Sequence, residues 1–354
     1  MTARLASIGL AVPTGRLGID RAISLASVLA AEGVRAETIE AIHRRSGIDE
    51  RGCAIIGPDG EQTLYSATRD RRGPTTSQRL SRYTAHATAL AVNASRDALH
   101  RARVDPDRIT HLITVSCSGF DAPGFDQSLM LAVGLRSTVR RTHIGFMGCH
   151  AAVNALATAE AFARADAHAV VLLCCVEVCS LHYHYSERVD QLVANALFSD
   201  GAAAAIVAAT APEDAPTLAG FSSAIFDHSA GEMSWRIGDH GFEMTLSPSI
   251  PDTLRRVVPG WVGSFLDLHA IARRDVGGWA IHPGGPRIVR AVTDALGLDT
   301  EAGAASLEVL RHHGNMSSPT VLFILRRLWD AGFPKPWVAL AFGPGVAGEA
   351  LIVR

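Results

Sequence analysis

The fold is decided by residues 145–178, which read GFMGCHAAVNALATAEAFARADAHAVVLLCCVEV. Residues 151–165 are rich in alanine and repeat apolar side chains at intervals of three and four, which predicts a helix. The apolar run 169–178 that follows predicts a buried strand. Cys149 stands at the start of the helix, directly after Gly148. A thiol there faces the positive end of the helix dipole, so we expect its pKa to fall below the free value of about 8.5.

The position of Cys149 also fits a buried structural cysteine, because free cysteines are among the most buried residue types. The chain has six cysteines, and their spacing follows no disulfide framework or zinc-binding pattern. Cys174, Cys175 and Cys179 are therefore predicted to be core thiols. The role of Cys149 depends on residues elsewhere in the chain.

Composition excludes several classes of function. The chain has 354 residues, 48% of them hydrophobic, which is enough for a large core. Lys and Arg number 33 against 35 Asp and Glu, so no nucleic-acid surface is expected, although a local basic patch could bind a phosphorylated ligand. The most apolar segment, 170–181, contains Glu177 and is too short to span a bilayer, and no signal peptide is evident. We expect a cytoplasmic protein without integral membrane contact.

The order strand, loop, glycine-opened helix and strand occurs twice, which is typical of an α/β protein. Cys149 begins the helix of the first copy, Asn315 precedes the helix of the second, and His282 ends the first strand of the second. We therefore expect these three residues at loop ends that face one another. The polar segment 210–216, TAPEDAP, is the expected joint between the copies. The strands are predicted at 108–116, 169–178, 276–281 and 337–342, and the second helix at 319–330.

Cys149, His282 and Asn315 together support one chemistry. Taken alone, His282 fits a structural histidine and Asn315 fits a helix N-cap. A thiolate beside an imidazole stays reactive and can accept an acyl group from a thioester. If a second thioester is malonyl, loss of carbon dioxide gives an enolate whose oxygen needs the donors that an imidazole and an amide supply. The carbanion would then attack the acyl-cysteine, without a metal or redox cofactor.

These residues resemble those of the type III polyketide synthases, the chalcone-synthase-like members of the thiolase superfamily. The resemblance covers about Leu5 to Val353. It implies a five-layered αβαβα fold with two pseudo-duplicated halves, residues 1–210 with the nucleophilic cysteine and residues 211–354 with the catalytic histidine and asparagine. It rests on motifs in family order: Gly148-Cys149, LFSDGAA at 197–203, HPGGP at 282–286, GNMSS at 314–318 and FGPG at 342–345.

The same resemblance implies roles for individual residues. Cys149 accepts the acyl group, while His282 and Asn315 drive decarboxylation and hold the thioester oxygen. Phe198 matches the family's gatekeeper between the coenzyme A tunnel and the reaction cavity, with plain core packing as the alternative. Cys117 is expected to be a passive wall residue, with a second reactive thiol as the alternative. The implied cavity wall consists of Cys117, Ser180, Trp235, Met244, Ser317 and Phe342.

Coenzyme A carries phosphates, so the resemblance also implies a basic tunnel mouth. Arg45 matches one family lysine there, and Arg287, Arg44 or Arg51 could substitute for basic positions that are missing. Ordinary solvated arginines are the alternative. The implied substrates are an acyl-CoA starter and malonyl-CoA, the implied assembly is a homodimer, and no cofactor is implied.

Details at residues 148–151, 179–183 and 235–238 resemble bacterial alkylresorcinol and alkylpyrone synthases. That implies a fatty acyl-CoA starter, but leaves pyrone and resorcinol ring closure both open. A tetrahydroxynaphthalene or other aromatic product is a further alternative. So are a single condensation of the ketoacyl-carrier-protein synthase III type and, outside enzymes, a non-catalytic partner subunit with a thiolase fold.

Overall fold

The computed structural model describes residues 2–57, 59–62, 64–66 and 72–354. Within these residues the helices are α1 (Ile19–Val28), α2 (Ala36–Arg45), α3 (Thr76–Ala102), α4 (Phe125–Val133), α5 (Ala151–Ala165), α6 (Val189–Leu197), α7 (Ile250–Leu268), α8 (Pro286–Ala295), α9 (Ala304–His313) and α10 (Thr320–Asp330). The strands are β1 (Arg4–Ala11), β2 (Arg16–Gly18), β3 (Glu50–Gly52), β4 (His111–Ser116), β5 (Arg140–Gly145), β6 (Val170–Val178), β7 (Asp200–Ala208), β8 (Leu218–Ala224), β9 (Met233–Gly238), β10 (Gly241–Leu246), β11 (Gly278–Ile281), β12 (Trp337–Gly343) and β13 (Ala347–Val353).

Two sheets form the frame of the molecule. The first has the order β1-β7-β6-β4-β5, and the second has the order β8-β13-β12-β11. In each sheet the last strand of its half, β7 or β13, pairs antiparallel with both of its neighbours. The strands beyond it, β6-β4-β5 in the first sheet and β12-β11 in the second, run parallel to each other. The second sheet repeats the order of the first but lacks a counterpart of β5. The predicted α/β fold with two repeated halves is confirmed.

Helices α5 and α10 lie between the two sheets and share one hydrophobic core with both. The buried side of α5 is built from small residues, among them Ala152, Ala155 and Ala159. Small side chains let a helix lie close to a sheet on either side, which explains the alanine-rich sequence. Helix α3 covers the outer face of the first sheet, and α7 and α8 cover the outer face of the second. The result is five layers.

Three element starts differ from the sequence prediction by two or more residues. The strand predicted from residue 108 begins at His111, because Pro106 opens a 3₁₀ turn over Pro106–Arg108. The strand predicted from residue 276 begins at Gly278. Cys149 lies in a 3₁₀ turn, Gly148–His150, that leads directly into α5. No helix of the described chain is both long enough and apolar enough to cross a membrane.

Candidate active site

Cys149, His282 and Asn315 line one cavity of about 580 Å³. Each comes from a different element end: the turn before α5, the end of β11 and the segment before α10. The first half of the chain supplies the thiol, and the second half supplies the imidazole and the amide. The cavity is otherwise lined mainly by apolar side chains, including Ile42, Val189, Val193, Leu197, Met233, Leu246, Ile250 and Leu254.

Gly148 allows the cysteine turn to sit where it does. Its φ is +76°, and a Cβ atom there would lie 2.4 Å from Cδ of Pro344. Any other residue would push the turn away from the loop that follows β12. Cys149 is held against this loop with 8% of its surface exposed.

Burial changes the ionisation expected for Cys149. The sequence predicted a lowered pKa from the helix dipole, and this expectation is wrong: burial raises the pKa of the thiol to about 12. Hydrogen bonds from Ser317 and Asn315 to the sulfur act in the opposite direction but are outweighed. Cys149 therefore rests as a neutral thiol and needs a proton acceptor before it can act as a nucleophile.

His282 shares the cavity with Cys149 and is the group that can accept that proton, but its lowered pKa makes it a weak base, so the transfer depends on attraction between the thiolate and imidazolium that form. It is 1% exposed, and burial lowers its pKa to about 3, so the imidazole is neutral near pH 7. Within the described chain, neither of its ring nitrogens has a hydrogen-bond partner. Its main chain is fixed, because its N–H donates to the carbonyl of Leu340 at 2.8 Å. A neutral, fixed and unpaired imidazole can either take a proton or donate one to a substrate oxygen.

Asn315 is fixed through both its main chain and its side chain. Its N–H donates to the carbonyl of Leu197, and its carbonyl accepts from the N–H of Ser199, each at 2.9 Å. The side-chain oxygen accepts the N–H of Ser317 at 2.8 Å. With the oxygen occupied, the amide nitrogen is the end left to donate, as an oxyanion site requires.

An aromatic and sulfur-containing wall faces these three residues. Phe198, at the end of α6, stacks on Trp235 with ring centroids 6.5 Å apart. Trp235 and Met244 are cross-strand partners in the β9–β10 hairpin. The indole N–H of Trp235 donates to the carbonyl of Cys117 at 2.7 Å. Ser317 and Phe342 complete the predicted wall.

Two histidines fasten this hairpin to the first sheet. His182 donates from Nε2 to the carbonyl of Ser118 at 2.6 Å and accepts from the N–H of Phe242 at its Nδ1. Its ring also stacks on that of Phe242, with centroids 4.1 Å apart. His184 binds the carbonyl of Phe242 at 3.0 Å. In the described residues no group of histidine, cysteine and acidic side chains is arranged to hold a metal.

Ser180 lies behind the cavity wall instead of in it. Its hydroxyl donates to Asp200, and it lines a separate cavity of about 60 Å³ next to α1. Cys179 takes its place in the main cavity and also borders the smaller one, so it is a wall residue and not the core thiol predicted. A 3₁₀ turn over Cys179–His182 ends the strand alternation on which that prediction depended.

Glu177 is a residue that sequence reasoning noted but assigned no role. It is fully buried in β6, and burial raises its pKa. Its carboxyl group accepts from the hydroxyls of Ser118 at 2.6 Å and Ser318 at 2.5 Å, and from the N–H of Cys117. The Cys117 thiol lies 3.3 Å from both Glu177 Oε1 and the Ser317 hydroxyl. A lone carboxylate in an apolar strand was the signal for this network.

The arginines separate into two groups. Arg45 and Arg287 are exposed and line the cavity where it opens. Arg44 pairs with Glu40 and Asp20. Arg51 is 7% exposed and bonds to main-chain carbonyls, so the expectation that it could bind phosphate at the mouth is wrong.

Comparisons with known proteins identify the family of the chain. Residues 64–211 match the family described as chalcone and stilbene synthases, N-terminal domain, and residues 219–354 match its C-terminal domain. The alpha-pyrone synthesis polyketide synthase-like Pks18 of Mycobacterium tuberculosis is 31% identical over 97% of this chain and 89% of its own length. The 1,3,6,8-tetrahydroxynaphthalene synthase of Streptomyces peucetius subsp. caesius is 33% identical over 75% of this chain and 72% of its own.

A solved structure extends the likeness to the whole fold. PKS-I from the brown alga Ectocarpus siliculosus superimposes with a TM-score of 0.95 at 28% identity, covering 100% of this chain and 98% of that one. The chain therefore belongs to the chalcone and stilbene synthase family and is a type III polyketide synthase, an acyltransferase with a thiolase-like fold.

Proposed function

We propose that this enzyme condenses a fatty acyl-CoA starter with several malonyl-CoA units and closes the product to an alkylpyrone or alkylresorcinol. The observation that carries the proposal is the meeting of Cys149, His282 and Asn315 in one largely apolar cavity. The similarity to an alpha-pyrone synthesis relative supports the product class.

The reaction begins at Cys149. Its proton passes to the neutral His282, the thiolate attacks the starter thioester, and the departing coenzyme A thiolate takes the proton from His282, which is neutral again. Malonyl-CoA then loses carbon dioxide, and the electron pair of the broken bond forms an enolate. His282 and the Asn315 amide donate to the enolate oxygen. The carbanion attacks the acyl-cysteine carbonyl and releases the Cys149 thiolate. The acyl chain is then two carbons longer, and the reaction has used no redox cofactor.

An apolar cavity favours a fatty starter. Each methylene buried contributes about 0.8 kcal/mol, so a long chain gains binding energy that a short polar starter does not. Arg45 and Arg287 at the opening have the charge to bind the phosphates of coenzyme A.

Product analysis tests the proposal. Purified enzyme is incubated with malonyl-CoA and acyl-CoA starters of increasing length, and products are identified by mass spectrometry. We expect long-chain starters to give products extended more than once. An aromatic product formed from malonyl-CoA alone would favour the tetrahydroxynaphthalene alternative. The similarity to a 1,3,6,8-tetrahydroxynaphthalene synthase supports that alternative. Products extended only once would favour the single-condensation alternative.

Three substitutions assign the steps. Cys149→Ala is expected to abolish condensation, because no acyl acceptor remains. His282→Gln and Asn315→Asp are expected to lower malonyl-CoA decarboxylation by about 100-fold or more, the usual cost of losing an oxyanion donor. Release of labelled carbon dioxide measures that step. Polyketide formed by the Cys149→Ala variant would contradict the assignment.

We also propose a homodimer built through β5. This edge strand is exposed along almost its whole length. The exposed apolar residues Phe120, Leu131, Phe146 and Met147 lie in the segments around it. Equilibrium sedimentation tests the assembly, and a monomer at micromolar concentration would contradict it. Coenzyme A thioesters as substrates support a cytoplasmic location.

A further inference from the structure

Arg51 is a buried arginine that is not one of the three reacting residues. It hydrogen-bonds to the main chain at Phe198, which pairs with Asn315. Arg51, in β3, donates from Nη1 to the carbonyl of Asn195 at 2.8 Å and to the carbonyl of Phe198 at 2.9 Å. We propose that Arg51 is a positioning residue that sets Asn315 for malonyl decarboxylation through the Phe198 segment. The proposal rests on the function proposed above.

The connection from Arg51 to Asn315 is short. Residues 197–199 and Asn315 form a parallel bridge, in which Asn315 N–H donates to Leu197 and Ser199 N–H donates to Asn315. One guanidinium therefore fixes the carbonyl of Phe198, and the residues on either side of Phe198 fix Asn315. A shift of this segment would move the gatekeeper and the amide together.

The junction is also tightly packed. Gly314, directly before Asn315, has a φ of +70°. A Cβ atom there would lie 2.8 Å from the hydroxyl of Ser199 and 3.2 Å from Cβ of Arg51. Arg51, Ser199 and Gly314 thus meet without room for an added methyl group, so displacement of one is passed to the others.

The charge of Arg51 suits its partners. The carbonyls of Asn195 and Phe198 end α6, where the helix dipole is negative. The nearest acid, Asp200, has its oxygens engaged by Ser180 and by the N–H of Ala54. A lysine ammonium also carries several N–H donors, but its flexible stem lacks the fixed plane of the guanidinium that directs Nη1 at both carbonyls. A methionine would remove both hydrogen bonds.

The test separates positioning of Asn315 from general damage. Arg51→Lys and Arg51→Met are assayed for malonyl-CoA decarboxylation without starter, and for alkylation of Cys149 by iodoacetamide. We expect decarboxylation to fall about tenfold or more in Arg51→Met and less in Arg51→Lys, since misplacement by about 1 Å can cost 100-fold. Alkylation should fall less than decarboxylation, because a displaced Asn315 removes only one of the hydrogen bonds to the Cys149 sulfur, while the bond from Ser317 stays.

Arg79→Lys is the matched control. Arg79 is another buried arginine that bonds carbonyls, those of Leu181 and Tyr183, each at 2.8 Å. It has no recorded bond to α6 or Asn315 in the described chain. If Arg79→Lys, at equal loss of Tm, lowers the ratio of decarboxylation to alkylation as much as Arg51→Lys, the role of Arg51 is only structural and the proposal is overturned.

A second variant covers failure of Arg51→Met to fold. Gly314→Ala keeps the arginine charge and strains the same junction, so it should show the same fall in decarboxylation, again with a smaller fall in alkylation. An unchanged ratio in Gly314→Ala and in Arg51→Lys would overturn the proposal. A wild-type enzyme that does not decarboxylate malonyl-CoA would instead contradict the proposed function.

Discussion

Cys149 shows the competition between burial and a helix dipole. The dipole of α5 and the bonds from Asn315 and Ser317 favour the thiolate, yet burial prevails and raises the pKa to about 12. Below that pKa the thiolate fraction rises about tenfold per pH unit, so a thiol without an acceptor reacts slowly at pH 7. We predict that His282→Gln lowers the rate of Cys149 alkylation by iodoacetamide about tenfold at pH 7 and steepens its rise with pH.

The control for this prediction is His150→Gln. His150 adjoins Cys149, but its Nδ1 is bonded to the side-chain oxygen of Asn154 at 2.8 Å. Peptide mapping by mass spectrometry distinguishes Cys149 from the other cysteines. Equal alkylation of wild type and His282→Gln would show that the imidazole does not take the thiol proton. The three residues could be predicted from their motifs, whereas the thiol pKa depends on burial, which only the packed structure reveals.

Among the elements, the β9–β10 hairpin separates the main cavity from the small one. Met244 borders both, and its partner strand carries Trp235. We predict that Met244→Ala joins the two cavities and shifts the preferred starter to an acyl chain about three carbons longer. The substitution removes three heavy atoms, and each methylene that fills the space contributes about 0.8 kcal/mol of binding energy. Competition between acyl-CoA starters, read by mass spectrometry, measures the shift.

Leu246→Ala, in the same strand, is the matched control because Leu246 lines only the main cavity. An equal shift in both variants would mean that the small cavity takes no part. Motif order predicted that Met244 lies at the wall. It could not predict that Ser180 lies behind the wall, because the 3₁₀ turn after β6 replaces strand alternation with a different side-chain direction.

The whole molecule carries several histidines that are buried in neutral form. Burial lowers the pKa of His182 and His282 to about 3 and that of His43 and His313 to about 4, from 6.5. Below pH 6.5 these histidines bind protons in the unfolded chain but not in the folded chain. Their contribution to the free energy of unfolding is therefore fully present above pH 6.5 and is lost as the pH falls. We predict that the free energy of unfolding decreases between pH 6.5 and 5.5, by up to about 1.4 kcal/mol per histidine per pH unit.

Urea unfolding at each pH measures this decrease. Burial raises the pKa of Asp200 to about 6 and also raises that of Glu177, so proton uptake by these acids in the folded chain offsets part of the decrease, for Asp200 from about pH 6 downward. His43→Leu should reduce the slope, whereas substitution of the exposed His168 should not. Stability that is constant or rises on acidification would contradict the prediction. The duplicated strand order was visible in the sequence, but which histidines are buried depends on contacts between distant segments.

In the homodimer proposed above, the absence of a β5 counterpart in the second sheet would limit growth of the assembly. β11, at the equivalent edge, is buried and lies under Thr300–Gly303 and α9, whereas β5 is open. An open edge accepts an added strand, and in the proposed dimer the β5 edge of each copy is covered by the other copy. Two open edges would let each copy recruit another at its far side, and the product would be a fibre. In the proposed dimer the missing strand would thus act as a stop to polymerisation.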